Sequence, residues 1–366
     1  MKSSSWVQTS RFLLCLFIST LFIAHITHWI NLPVLKRLDQ IAYDLRLKAT
    51  TIDSIDPRIV ILDIDEKSLD IEGRWPWSRN KLSELVDILF DHYQIKLLAF
   101  DVTFPEQDTS SGLHLFEKLR STELKNNAGY LASLDKLRPQ LQYDALFANS
   151  LQHRNIVLGY YTASQTLPIK QNTSLPPSIS SIKPYHFTDS LIQAKSYGAN
   201  LNILQQATQQ GGFFNNPLVD SDGVYRRLPL LNVYNQQLYE SLSLAMFRAL
   251  MPDEKIHFKV SSAYDSNAQT RLEAIQVGNY TIPVNEKSAI LVPYRGKQGS
   301  FHYIPATDVL SFNVNEQDLN NKIVILGSSA AGILDLRSTP VQNIYPGVEI
   351  HANILSGMLD QRIKYQ

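Results

Sequence analysis

RIVILDIDEKS, residues 58–68, sets four apolar residues, three of them β-branched, directly before carboxylates at Asp63 and Asp65. Such a run reads as a strand apolar on both faces, the pattern of a parallel sheet covered on both sides. Three further runs repeat it: residues 95–103 (IKLLAFDVT), 155–161 (NIVLGYY) and 322–326 before Gly327. Between the first two, residues 81–93 place Leu82, Leu85, Val86 and Leu89 on one helical face, and residues 142–151 carry a weaker helical pattern. Strand alternating with helix predicts an α/β fold with a Rossmann-like, mostly parallel core sheet.

The pattern changes after the third run. Residues 162–196, rich in Ser, Thr, Pro and Gln, read as an exposed loop. Residues 223–234, 274–283 and 289–293 alternate and carry turn pairs such as Gly278-Asn279, which predicts an antiparallel β section inserted into the core. Residues 237–250 read as a helix covering that section, and Pro346-Gly347 opens a last helix over 348–359.

Residues 12–30 contain no Lys, Arg, Asp or Glu, and as a helix they measure roughly 28 Å, enough to cross a bilayer. No cleavage-like A-x-A follows, so the segment reads as a retained anchor rather than a signal peptide. An amphipathic helix follows over residues 31–50, with Leu35, Leu38, Ile41, Ala42 and Leu45 at helical spacing; it packs on the domain or pairs with a second copy. Basic residues flank the anchor on both sides, so charge alone leaves its orientation open. Lys plus Arg balances Asp plus Glu at 34 each, which excludes a whole-chain attraction to nucleic acid. With one cysteine, Cys15, and no H-x₃₋₅-H or HExxH spacing, neither a disulfide framework nor a metal site is expected. No cofactor fingerprint is present either.

The candidate site residues lie at strand ends, where open α/β sheets bind ligands. Asp63 and Asp65 share a face if the strand persists, and Asp101 ends the second strand. Three carboxylates at adjacent strand ends suit Mg²⁺ or a cationic ligand. Asp-x-Asp there is similar to haloacid dehalogenase phosphatases, but the usual Gly-Thr or Gly-Val and the later acidic pair are missing. The alternative is that these carboxylates tie loops and helix N-termini together. Ser328 and Ser329, in a Gly-rich turn through Gly332, offer an anion cradle. Ser329 with Asp335 and His351 also approximates a hydrolase elbow, compressed into too few residues for the strands such a triad needs. Arg74, Trp75 and Trp77 in GRWPWSR either stack on a ligand or plug the sheet edge.

In chain order, several motifs resemble the CHASE2 domain family: YDLR (43–46), ILDIDEKSL (61–69), GRWPW (73–77) with Arg79, and AFDV (99–102) with Asp108. Further on come DSDGVYRR (220–227), YRG (294–296), KIVILGSSAAG (322–332), Thr339-Pro340 and PGVEIHAN (346–353). The resemblance implies an extracytoplasmic, ligand-sensing input domain of a bacterial receptor, periplasmic and membrane-anchored. It also implies following transmembrane helices and a cytoplasmic effector: an adenylate or guanylate cyclase, a kinase or a diguanylate cyclase. It transfers no catalytic residue. The expected layout is a cytoplasmic tail (1–11), an anchor (12–30), a juxtamembrane helix (31–50), a sensor domain (51–361) and the start of a connection onward (362–366). The expected partners are a membrane, a small-molecule or periplasmic protein ligand, and a second copy in a homodimer. A membrane-tethered metal-dependent phosphohydrolase is the alternative of another class.

Overall fold

The computed structural model describes residues 3–27, 29–30, 33–183, 185–261, 270–330 and 336–365. They divide into two units, Met1–Thr51 and Ile52–Gln366. The first holds two helices, α1 (Ser3–Ile26) and α2 (Pro33–Thr50). Within α1, Trp6–Ala24 is long and apolar enough to cross a membrane. Pro33 opens α2 in the first turn, where its missing N–H would have no intrahelical partner anyway.

In the second unit the opening stretch forms β1 (Asp56–Asp63), followed by α3 (Glu66–Glu72) and α4 (Arg79–Asp87). Next come β2 (Leu97–Phe100), α5 (Tyr143–Leu151), β3 (Ile156–Ala163), β4 (Ser196–Gly198) and β5 (Gly211–Phe213). The chain closes with α6 (Leu242–Ala249), β6 (Phe301–Pro305), β7 (Ile323–Gly327) and α7 (Gly347–Leu359). The core sheet runs β6-β1-β7-β2-β3, with β4 and β5 both on β3. Every pairing in it is parallel except β3 with β4.

Apolar residues on both faces are accounted for by two covering layers. Val60, Leu62, Leu98, Phe100, Leu158, Val324 and Leu326 pack with Leu82, Leu85, Val86 and Leu89 and with Phe147 and Leu151 of α5. On the other face α6 and α7 pack against β1, β2, β3 and β7. Each such Val, Leu or Ile side chain, fully buried, contributes about 1.5–3 kcal/mol, so the doubly covered strands dominate stability. The inserted section is antiparallel as expected, with Arg227–Pro229 on Ala289–Leu291 and a three-stranded unit of Ile256–Val260, Leu272–Val277 and Tyr280–Pro283.

Several expectations need correction. Residues 237–250 are not one helix: Gln237–Glu240 is a strand paired with Leu231–Tyr234, and only Leu242–Ala249 is helical. The loop over 162–196 contains short strands at Thr173–Ser174, Ser180–Ser181 and Ile192–Gln193. β6 and the helical hairpin of Leu113–Ser121 and Ala128–Leu141 went unforeseen. The strand ends carrying Asp63 and Asp101 are also not adjacent, because β7 lies between β1 and β2.

Candidate functional site

β1 stops at Asp63, so the strand does not carry Asp65 onto the same face. Asp65 instead caps α3, accepting a hydrogen bond from the Ser68 amide at 2.8 Å. Asp63 turns to the end of β7, where the Ser329 amide donates to Oδ1 at 2.8 Å and the Ser329 hydroxyl to Oδ2 at 2.5 Å. Ser328 donates its hydroxyl to the Ile64 carbonyl at 2.8 Å. The anion held by the Gly-rich turn is thus the protein's own carboxylate. Burial pushes the Asp63 pKa up, against the two Ser329 hydrogen bonds, and the nearby Asp65 charge adds to the rise. Gly327 is required by packing, since a Cβ there would lie 2.6 Å from Val348 Cβ on α7. Ala331, Gly332 and Asp335 lie outside the described residues.

With β7 intervening, the ends of β1 and β2 stand two strand spacings apart, roughly 10 Å. No group of three or more His, Cys, Asp or Glu placed to hold a metal ion occurs among the described residues. His351 is far from a hydrolase role: it is buried in α7, with Nδ1 2.9 Å from Ser243 Oγ and Nε2 3.0 Å from the Phe214 carbonyl. The carbonyl can only accept, so Nε2 carries the proton and Nδ1 accepts from Ser243. Glu349 does more than complement the helix dipole; its buried carboxylate accepts from the Gly299 and Ser300 amides and the Tyr303 hydroxyl.

In GRWPWSR, Trp77 is buried and donates Nε1–H to the Gly73 carbonyl at 2.8 Å. Trp75, half-buried, meets it edge to face at 5.7 Å between ring centroids and packs on the core. These rings pack into the layer formed with α4 and α5, whereas Arg74 is exposed.

A cleft of about 730 Å³ is walled by the loop after β2, the helical hairpin, the N-terminal turn of α5 and residues 201–203. Behind it is an ion-pair group absent from the expectations. Asp108 Oδ2 accepts from the Arg79 amide at the start of α4 at 2.6 Å, its Oδ1 accepts from the Ser110 amide, and its own amide donates to Asp144 Oδ2 at 3.1 Å. The buried Arg79 guanidinium lies 4.4 Å over the Phe104 ring, with Nε 3.8 Å from Asp144 Oδ1. Burial lowers the Arg79 pKa against the charges of Asp144 and Asp108. Burial also raises that of Asp144, which accepts the Asp108 amide. For Asp108, burial works upward, but the bonds from Ser110 and Arg79 prevail and hold it low. Arg79 and Asp108 stood among the quoted motifs; Asp144 carried no signal, because its partners come from α4 and a loop distant in sequence.

A second charged group sits at the start of β1. Arg295 reaches the Ser54 carbonyl and hydroxyl (both 3.1 Å), Ser356 Oγ (2.9 Å) and Asp360 (3.1 Å). Arg58 bridges Asp56 and Asp360 at 2.6 and 2.7 Å. The first and last segments of the second unit are thereby joined through side chains.

A family model described as the CHASE2 domain matches residues 15–366. No curated protein and no solved structure matches the chain.

Proposed function

The chain belongs to the CHASE2 domain family, and on that premise we propose that it is the ligand-sensing input of a bacterial transmembrane receptor controlling a cytoplasmic adenylate or guanylate cyclase. CHASE2 is an extracellular sensor domain of signalling receptors, typically non-catalytic, and the N-terminal apolar helix is consistent with a membrane location. In this reading residues 12–30 anchor a periplasmic domain of residues 51–361, the receptor works as a homodimer, and the cleft beside Arg79, Asp108 and Asp144 is the input site. Asp63, Asp65, Trp77, Ser328 and Ser329 tie strand ends, turn and loop together, while Arg74, Trp75 and Asp101 are candidate ligand contacts outside the cleft lining.

One observation supports this above the hydrolase alternative: the carboxylates that look catalytic in the sequence are engaged by the protein's own amides and hydroxyls. Ligand binding then biases two arrangements of the domain, and the Arg295 group passes the shift to the segments leading toward the membrane. The test is cyclic-nucleotide output of the full-length receptor in native membranes with residues 52–361 deleted. Output should change; identical output under every condition would sink the proposal. Turnover of p-nitrophenyl phosphate with Mg²⁺, lost in Asp63→Asn, would establish the hydrolase instead.

A further inference from the structure

The cleft has a chemical character that its charged groups do not set. Its lining contains no Lys or Arg, and the guanidiniums next to it, Arg79 and Arg138, face the lining's own carboxylates Asp144 and Glu117, so an anionic ligand finds no cation in the lining. Those carboxylates are already committed: Asp108 and Asp144 to backbone amides, and Glu117 to Arg138 at 2.6 Å. By contrast, the uncharged side chains of Gln107, Thr109, Gln142, Asn172 and Asn202 all face the cleft and make no side-chain hydrogen bond among the described residues. Four of the five are carboxamides, each offering a donor and an acceptor side by side, the spacing of two neighbouring hydroxyls on a ring. Tyr143, half-buried in the same lining, adds an aromatic face for a C–H surface.

We propose that the cleft binds a neutral saccharide of one or two rings; this rests on the cleft being the input site. Its volume of about 730 Å³ falls within the range of small-molecule sites. Carboxylates that already accept one or two bonds keep lone pairs for ligand hydroxyls, so Asp108 and Asp144 add acceptors without demanding a cation. The cleft also has one wall able to move. The hairpin supplies Leu113, His114, Glu117 and Leu141, yet no residue of Leu113–Ser121 is buried, and in Ala128–Leu141 only Leu134 is. Its two helices are tied to each other by Tyr130 to the Phe116 carbonyl (2.6 Å) and Arg120 to Asp135 (2.7 Å). A saccharide bridging the hairpin to Asn172 and Asn202 draws it inward as one body.

The experiment is calorimetric titration of the full chain in nanodiscs with glucose, N-acetylglucosamine and maltose, beside triglycine, spermidine and inorganic phosphate. At least one saccharide should bind saturably, with Gln142→Ala and Asn202→Ala each weakening it on the order of tenfold, the loss of one good hydrogen bond, and with melting temperatures unchanged. Saccharide binding untouched by both variants, or no saccharide binding at all, overturns the proposal. So does triglycine or spermidine binding that depends on Gln142 and Asn202, which would change the ligand class and leave the cleft as input site. The input-site reading fails separately if a receptor carrying Asn202→Trp, which crowds the cleft, still responds to its stimulus.

Discussion

Arg295 shows how much one buried side chain can hold. It satisfies Ser54, Ser356 and Asp360 and lies 3.6 Å from the buried carboxylate of Asp56. Asp56 is held down to about 2: burial works upward, but the Arg58 and Ser356 hydrogen bonds outweigh it. Arg295→Ala should therefore cost about 3–5 kcal/mol in urea unfolding, and Arg295→Lys a large part of that, because an ammonium cannot reproduce the planar fork. His351 gives a pH signature. Burial lowers its pKa to about 4 from 6.5, so between those values the unfolded chain binds the proton and the folded chain does not. Stability should fall as pH drops from 6.5 toward 4, by about 3 kcal/mol at most for this residue. His351→Gln should flatten that part of the urea-midpoint profile, and an unchanged slope would refute the assignment. The sequence marked Asp63, Asp65, Ser329 and His351 as chemically notable, but not which of them pair. Ser329 follows the strand next to β1 in space but lies 266 residues on in the chain, and Ser243 sits on another helix from His351, so spacing along the chain carries no record of such pairings.

At the scale of elements, doubly apolar strands and helices with a clear stripe were legible, because burial on both faces or along one stripe leaves a local pattern. β1, β2, β3 and β7 all fall within the predicted runs to a few residues. β6 escaped because FHYIP is short and its middle positions are partly exposed. The end of β1 was misjudged for a local reason: Asp-x-Asp reads as strand continuing, yet the second Asp is the better helix cap, and the cap won. Asp65→Ala should accordingly destabilise the protein by about 1 kcal/mol in thermal or urea unfolding. Ligand affinity should stay the same, and a loss of affinity without loss of stability would return Asp65 to the binding site.

For the whole molecule, the alternation of strand and helix was enough to predict the parallel core, whereas the order of its strands was not. Nothing in the four apolar runs says that the last of them inserts between the first two. That single permutation separates Asp63 from Asp101 and dissolves the three-carboxylate site. The cleft was illegible for the same reason, being assembled from segments near residues 108, 143, 172 and 202. The candidate membrane span, by contrast, is written in one contiguous helix. Phe17→Arg, near the middle of Trp6–Ala24, should weaken insertion by about 2.5–3.5 kcal/mol. Fractionation should then find more of the chain released from membranes, and full retention would count against α1 as the anchor.

The place of β1 between two late strands has a consequence for how the protein is made. Its two neighbours, Phe301–Pro305 and Ile323–Gly327, are synthesised long after it. Until they emerge, RIVIL is an unpaired apolar strand with both edges open, the kind of segment that aggregates when left waiting. Closure of the sheet is thus deferred until Ile323–Gly327 has been made, and a nascent chain cut short before Ile323 has no way to complete it. The strand of the core sheet made last, rather than the one made first, commits the domain to its native state.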